Sequence, residues 1–192
     1  MKKRIILAAA ATAILAAGLA QAEEGTKGGL GFRSRPIPIA GFAAAPFQAV
    51  PSIGGRQWFT DLFGLDVGVG YNQAEVKPLP QKWTGYVVDV GVPLSLKWVS
   101  DRVNLIFRPS FQWARIEDEL ETPPASTIKY TGIGGSGEIE VEWMVAERLS
   151  VSASHGVSYM RIEDDATPKS TFTAFGTTQG NFTELGFHVY LW

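Results

Sequence analysis

Long runs of strict apolar–polar alternation, connections that alternate between short and long, and an export signal at the N-terminus predict an all-β chain. The architecture that fits all three is an eight-stranded antiparallel up-and-down transmembrane β-barrel.

The N-terminus comes first. Lys2, Lys3 and Arg4 precede an apolar stretch from Ile5 to Ala20, and Ala20-Gln21-Ala22 has the small-x-small form cut by signal peptidase. Residues 1–22 therefore read as a cleaved signal peptide and 23–192 as one barrel domain. The stretch is short for a spanning helix and meets the cleavage site at once, which argues against a retained anchor. Losing the three signal cations takes the net charge from −2 to −5, opposite to the basic patch a nucleic-acid partner calls for. There are no cysteines, so thiolate metal sites and CxxC redox chemistry are excluded. No later run reaches the length of a transmembrane helix, yet the chain is 45% hydrophobic, with 6 Trp, 11 Phe and 21 Gly.

Eight segments carry the alternation: 28–34, 49–59, 63–72, 84–99, 103–116, 128–145, 149–162 and 181–192. In the fourth, Tyr86, Val88, Val90, Val92, Leu94, Leu96 and Trp98 form one face, against Gly85, Asp89, Gly91, Ser95 and Lys97. In the fifth, Val103, Leu105, Phe107, Phe111 and Trp113 oppose Asn104, Arg108, Ser110 and Gln112. The seventh sets Leu149, Val151, Ala153, Val157 and Tyr159 against four serines and Gly156. Thr60-Asp61, Ser100-Asp101 and Ala146-Glu147-Arg148 are short connections, and 35–48, 73–83, 117–127 and 163–180 are long ones. That phase matches short periplasmic turns and longer outer loops. A soluble ligand-binding barrel also alternates, but it turns its apolar face inward and a charged face to water. Here the polar face is mostly Gly and Ser, suited to a narrow interior. The apolar face ends in Tyr71, Tyr86, Trp98, Trp113, Trp143 and Tyr159, as an interfacial aromatic girdle does.

The chain closes on Gly186-Phe187-His188-Val189-Tyr190-Leu191-Trp192, and Gly54-Gly55-Arg56-Gln57-Trp58-Phe59 leads into Gly64-Leu65-Asp66-Val67-Gly68-Val69-Gly70-Tyr71. In these stretches it resembles the family of small outer-membrane β-barrel domain proteins and is similar in layout to the outer-membrane protein A transmembrane domain. The resemblance implies a bacterial outer-membrane location. It implies partners in outer-membrane lipid, lipopolysaccharide and, during insertion, the barrel assembly machinery, with Tyr190 and Trp192 as the sorting signal. His188 departs from the apolar residue usual at its place, which leaves the facing of the last strand open. No further domain is expected after Trp192.

Parity places Arg33, Arg56, Lys97 and Arg108 inside with Asp66, Asp89, Glu138, Glu140 and Glu142. Charges so confined must pair, because an isolated buried ion is very costly, so a network plugging the lumen is expected. Folding the chain near residue 122 puts Arg108 opposite about residue 136, within reach of Glu138. Other motifs carry less. Gly132 to Gly137 matches GxGxxG, but a strand follows where a dinucleotide site needs a helix. Ser154-His155 puts a serine and an interfacial histidine on opposite faces, which no nucleophile–base pair tolerates. The acidic runs 117–121 and 163–165 read as solvated loops. The apolar segment 35–48 reads as packing into the mouth, or as holding an apolar ligand. The expectation is a monomeric structural barrel presenting four outer loops, without cofactor or metal and not an enzyme. The rival expectations are uptake of small apolar molecules and, behind it, lipid modification.

Overall fold

The computed structural model describes residues 27–35, 50–76, 81–120, 126–177 and 184–191. The signal peptide and most of the apolar 35–48 segment lie outside them, as do Trp192 and the side chains of Arg33 and Lys97.

All regular structure among the described residues is β. The strands are β1 (Lys27–Arg35), β2 (Val50–Trp58), β3 (Gly64–Val76), β4 (Gln81–Gly91), β5 (Leu94–Ser100), β6 (Val103–Leu120), β7 (Ser126–Ala146), β8 (Leu149–Asp164), β9 (Thr171–Thr177) and β10 (Glu184–Tyr190). They form one antiparallel sheet in the order β10-β1-β2-β3-β4-β6-β7-β8-β9, with β5 paired to β6 and β10 paired to β8 as well as β1.

Ten strands stand where the sequence predicts eight. The fourth segment is divided at Val92 and Pro93, because proline has no N–H to give the ladder. At this break the chain finds other partners. The Val92 amide donates to the Pro109 carbonyl at 2.9 Å, and the Pro93 carbonyl accepts from the Gly64 amide at 2.9 Å. The last segment begins later, at Glu184, and the preceding strand β9 pairs with the far half of β8, inside a stretch expected to be loop.

Several strands also run beyond their expected ends. Glu117, Asp118 and Glu119, expected in a loop, lie on β6 and pair with Thr84, Trp83 and Lys82 of β4. Backbone pairing carries strands past their apolar stretch here, so a run of charges does not end them. The GxGxxG stretch is simply part of β7.

Alternation follows from geometry, since successive side chains leave opposite faces of a strand. On β7, Glu138, Glu140 and Glu142 are buried while Ile139, Val141 and Trp143 are exposed. On β8, Ser150, Ser152 and Ser154 are buried and Val151, Val157 and Tyr159 exposed. On β10, His188 and Tyr190 are buried and Phe187 and Val189 exposed, which answers the facing of this strand. Thr84, which alternation puts on the same outward face as Tyr86 and Val88, is buried. The buried face is layered. Trp58, Ile106 and Tyr190 pack together near the short connections, with Met144 against them. Trp83, Val87, Ile116, Tyr130, Met160 and Ile162 pack near the long ones. The charged residues lie between.

Candidate functional site: a buried ion network and a cavity beneath it

Pairing of β2 with β3 sets Arg56 directly opposite Asp66. The guanidinium meets the carboxylate in a two-pronged contact, Nε to Oδ1 at 2.8 Å and Nη2 to Oδ2 at 2.9 Å. Its other edge holds Glu140 of β7, with Nη1 to Oε1 at 3.1 Å and Nη2 to Oε2 at 2.8 Å. Glu142 stands 3.6 Å away. Strands β2 and β7 are not neighbours in the sheet, so the sheet is curled until residues 84 apart in sequence meet.

Arg108 repeats the arrangement from β6. Its Nε donates to Asp66 Oδ2 at 2.7 Å, its Nη2 to Asp89, and its Nη1 lies 3.8 Å from Glu138. Register places Arg108 opposite Glu138, two residues from the position the sequence suggests. Asp66 thus joins the two arginines. Gly91 lies under the Arg108 guanidinium, where a Cβ would meet the Arg108 side chain. Only a residue without a side chain leaves that space.

Hydroxyls complete the set. Ser136 donates to Glu138 at 2.6 Å and Ser154 to its other oxygen at 3.3 Å. Glu142 Oε1 accepts from Ser150 at 2.6 Å and from the Tyr190 hydroxyl at 2.7 Å, and His188 Nδ1 lies 3.3 Å from it. Arg56, Arg108 and Glu138 are each 1% exposed, and Glu140 is fully buried. Two-pronged guanidinium–carboxylate bonds are the geometry that offsets the cost of burying charge.

Of the nine charged residues that parity places inside, seven meet in this way, and the side chains of Arg33 and Lys97 fall outside the described residues. Sequence reasoning missed the surroundings of Glu142: Ser150, His188 and Tyr190, with the Trp58 indole donating to the Tyr190 hydroxyl at 3.4 Å. The signal available was His188, a polar residue out of keeping with its strand.

Below Glu142, toward the short connections, lies a cavity of about 260 Å³. Trp58, Trp98, Met144 and Tyr190 wall it, and Glu142 faces it from the ion network.

A serine, a histidine and a glutamate stand together here, but not as a relay. Ser150 Oγ is 3.5 Å from His188 Nδ1, and the same ring nitrogen faces Glu142. A catalytic imidazole takes the proton on one nitrogen and is held by a carboxylate at the other. His155 is exposed, on the face opposite Ser154. Among the described residues, no group of His, Asp or Glu is arranged to hold a metal.

The sequence matches no protein-family model and no curated protein sequence. Solved structures match the chain at low sequence identity. One is a major outer membrane protein from Thermus thermophilus, with a TM-score of 0.54 and 9% identity over 86% of this chain and 99% of that one. Another is the P. putida toluene transporter TodX, with a TM-score of 0.32 and 8% identity over 88% of this chain and 59% of that one. What the first likeness establishes is fold: an all-β antiparallel sheet of the kind found in an outer-membrane protein.

Proposed function

We propose that this chain is a structural bacterial outer-membrane protein, a monomeric barrel of eight staves with a plugged lumen, holding four loops outside the cell. The observation that carries the reading is inverted polarity. Arg56, Arg108 and Glu140 are buried, while Ile133, Ile139, Val141, Trp143 and Phe111 stand about half exposed on the other face. A water-soluble fold has the opposite arrangement, and a large apolar surface left exposed marks contact with something apolar.

The eight staves follow from combining strands. Segments β4 and β5 lie end to end along β6, and β9 and β10 lie end to end along β8. Closure is supported by β10, which pairs with β8 on one side and β1 on the other. The dimensions agree. Trp143 sits beside Val103, and Trp113 is about ten residues further along β6. At ~3.4 Å per residue and a tilt near 40°, that spacing is roughly 26 Å, the height of an outer-membrane apolar band. Strand β10, with Tyr190, is proposed as the segment recognised during barrel assembly, since it joins β8 to β1.

The plug makes the protein a scaffold rather than a pore or an enzyme. In an eight-staved barrel the interior is only wide enough for side chains. The experiment is vesicle swelling after a gel control. Folded protein should migrate differently before and after boiling, because a closed ladder resists detergent. Vesicles containing it should then exclude arabinose as protein-free vesicles do. Swelling at a porin's rate would overturn the plugged reading, and identical gel mobility of a protein shown to be β-rich would overturn closure.

A further inference from the structure

We infer that the cavity below Glu142 is a binding site for a small alkylated ammonium ion. The proposal stands on the cavity's chemistry and does not depend on which side of a membrane it faces.

The first observation is the walls. Two indoles and a phenol, Trp58, Trp98 and Tyr190, line one space together with the Met144 side chain. Aromatic faces attract cations through their quadrupole and favour weakly hydrated ones, which give up their water at least cost. At about 260 Å³ the space is far larger than a metal ion needs and fits a small organic molecule.

The second observation is charge. Glu142 reaches the cavity from the interior, and Asp61 and Glu147 stand at its rim beside a single base, Arg148, among the described lining residues. Behind Glu142, the described buried network holds two guanidiniums against five carboxylates. Even Arg33, Lys97 and a protonated His188, if all shared that interior, would only balance the five, leaving the rim acidic. Low dielectric lengthens the reach of that surplus, so the potential in the cavity favours a cation over an anion or a neutral molecule.

The third is construction. Glu142 is held by Ser150, Tyr190 and Arg56, and the Tyr190 hydroxyl is in turn held by the Trp58 indole. The charged floor and one aromatic wall are therefore fixed to each other before anything binds, which lowers the ordering cost of association.

The test is calorimetric titration of the folded chain in octyl glucoside micelles at low salt, with choline and with its uncharged isostere 3,3-dimethylbutan-1-ol. Choline should bind saturably at one site, at least about tenfold more tightly than the alcohol, which lacks only the charge. Trp98→Leu, and separately the pair Asp61→Asn with Glu147→Gln, should each weaken choline about fivefold, the scale of one exposed cation contact. These positions lie outside the ion network, and the boiling-dependent gel shift verifies that the variants fold. No saturable choline binding by folded protein would overturn the proposal. So would equal affinity for the alcohol, which would make the cavity merely apolar, or unchanged affinity in both variants. Loss of the gel shift in the unaltered protein would count against the barrel instead.

Discussion

Arg56 and Arg108 each hold more than one carboxylate, so removing an arginine and removing an acid are not equivalent changes. Arg56→Met strips Asp66 and Glu140 of their shared cation and leaves them buried. It should destabilise the protein by about 3–5 kcal/mol, the scale for breaking a buried pair. Glu138→Gln removes one of the five carboxylates that outnumber the two arginines among the described network charges and leaves an amide in reach of Ser136 and Ser154, so its cost should stay below about 1.5 kcal/mol, the net worth of a hydrogen bond. Urea unfolding in lipid vesicles compares the two, and equal losses would refute the asymmetry. Gly91→Val drives a side chain into the Arg108 guanidinium and should cost about 1–3 kcal/mol in the same assay, as overpacking does. Part of this chemistry is legible in the sequence. Arg56 and Asp66 flank one short turn, so their pairing follows from hairpin register. Arg108 and Glu138 follow from the β6–β7 hairpin, to within two residues. The bonds from Arg108 to Asp66 and from Arg56 to Glu140 could not be read that way, because they cross the interior and depend on how tightly the sheet curls.

At the scale of the strand, alternation was the readable signal because one face ends in charge and the other in aliphatic side chains. What alternation could not supply was length. Glu117 to Glu119 look like a loop, but they extend β6 beyond Trp113, because backbone pairing with β4 and β7 continues there. Pro93 divides a stave without interrupting the apolar–polar alternation of the sequence, and the β-bulge that follows, between Ser95 and Lys97, sets Trp98 opposite the buried Asn104 and into the cavity rather than on the outer girdle where alternation put it. His155, expected at an interface, lies opposite Ile139, about midway between the positions of Trp143 and Ile133 on β7. The same map fixes where a charge is least tolerable. Ile139→Arg, at the middle of the band, should cost about 2–4 kcal/mol in vesicles, whereas Tyr159→Arg, at the girdle, should cost about 0–1 kcal/mol. Urea midpoints of the two variants check this, and a girdle substitution as costly as the central one would mean the band is misplaced.

For the whole molecule, the account rests on one claim: the half-exposed apolar face meets lipid, and the charged face is a sealed interior. The ion network shows that the sheet is curled, and the proposed closure rests on β10, which pairs with both β1 and β8. Among the described residues, nothing covers the exposed face. The natural absence of cysteine allows a direct test, since any single cysteine introduced for labelling is unique. Spin labels placed one at a time from 133 to 143 along β7, in lipid bilayers, report collision with oxygen, which concentrates in lipid, and with a water-soluble nickel complex. The account predicts period-two behaviour. Labels at 133, 139, 141 and 143 should collide strongly with oxygen, most of all at 139, and little with nickel. Labels at 138, 140 and 142 should collide weakly with both. Strong nickel collision at 139 and 141 would place that face in water and contradict the membrane barrel.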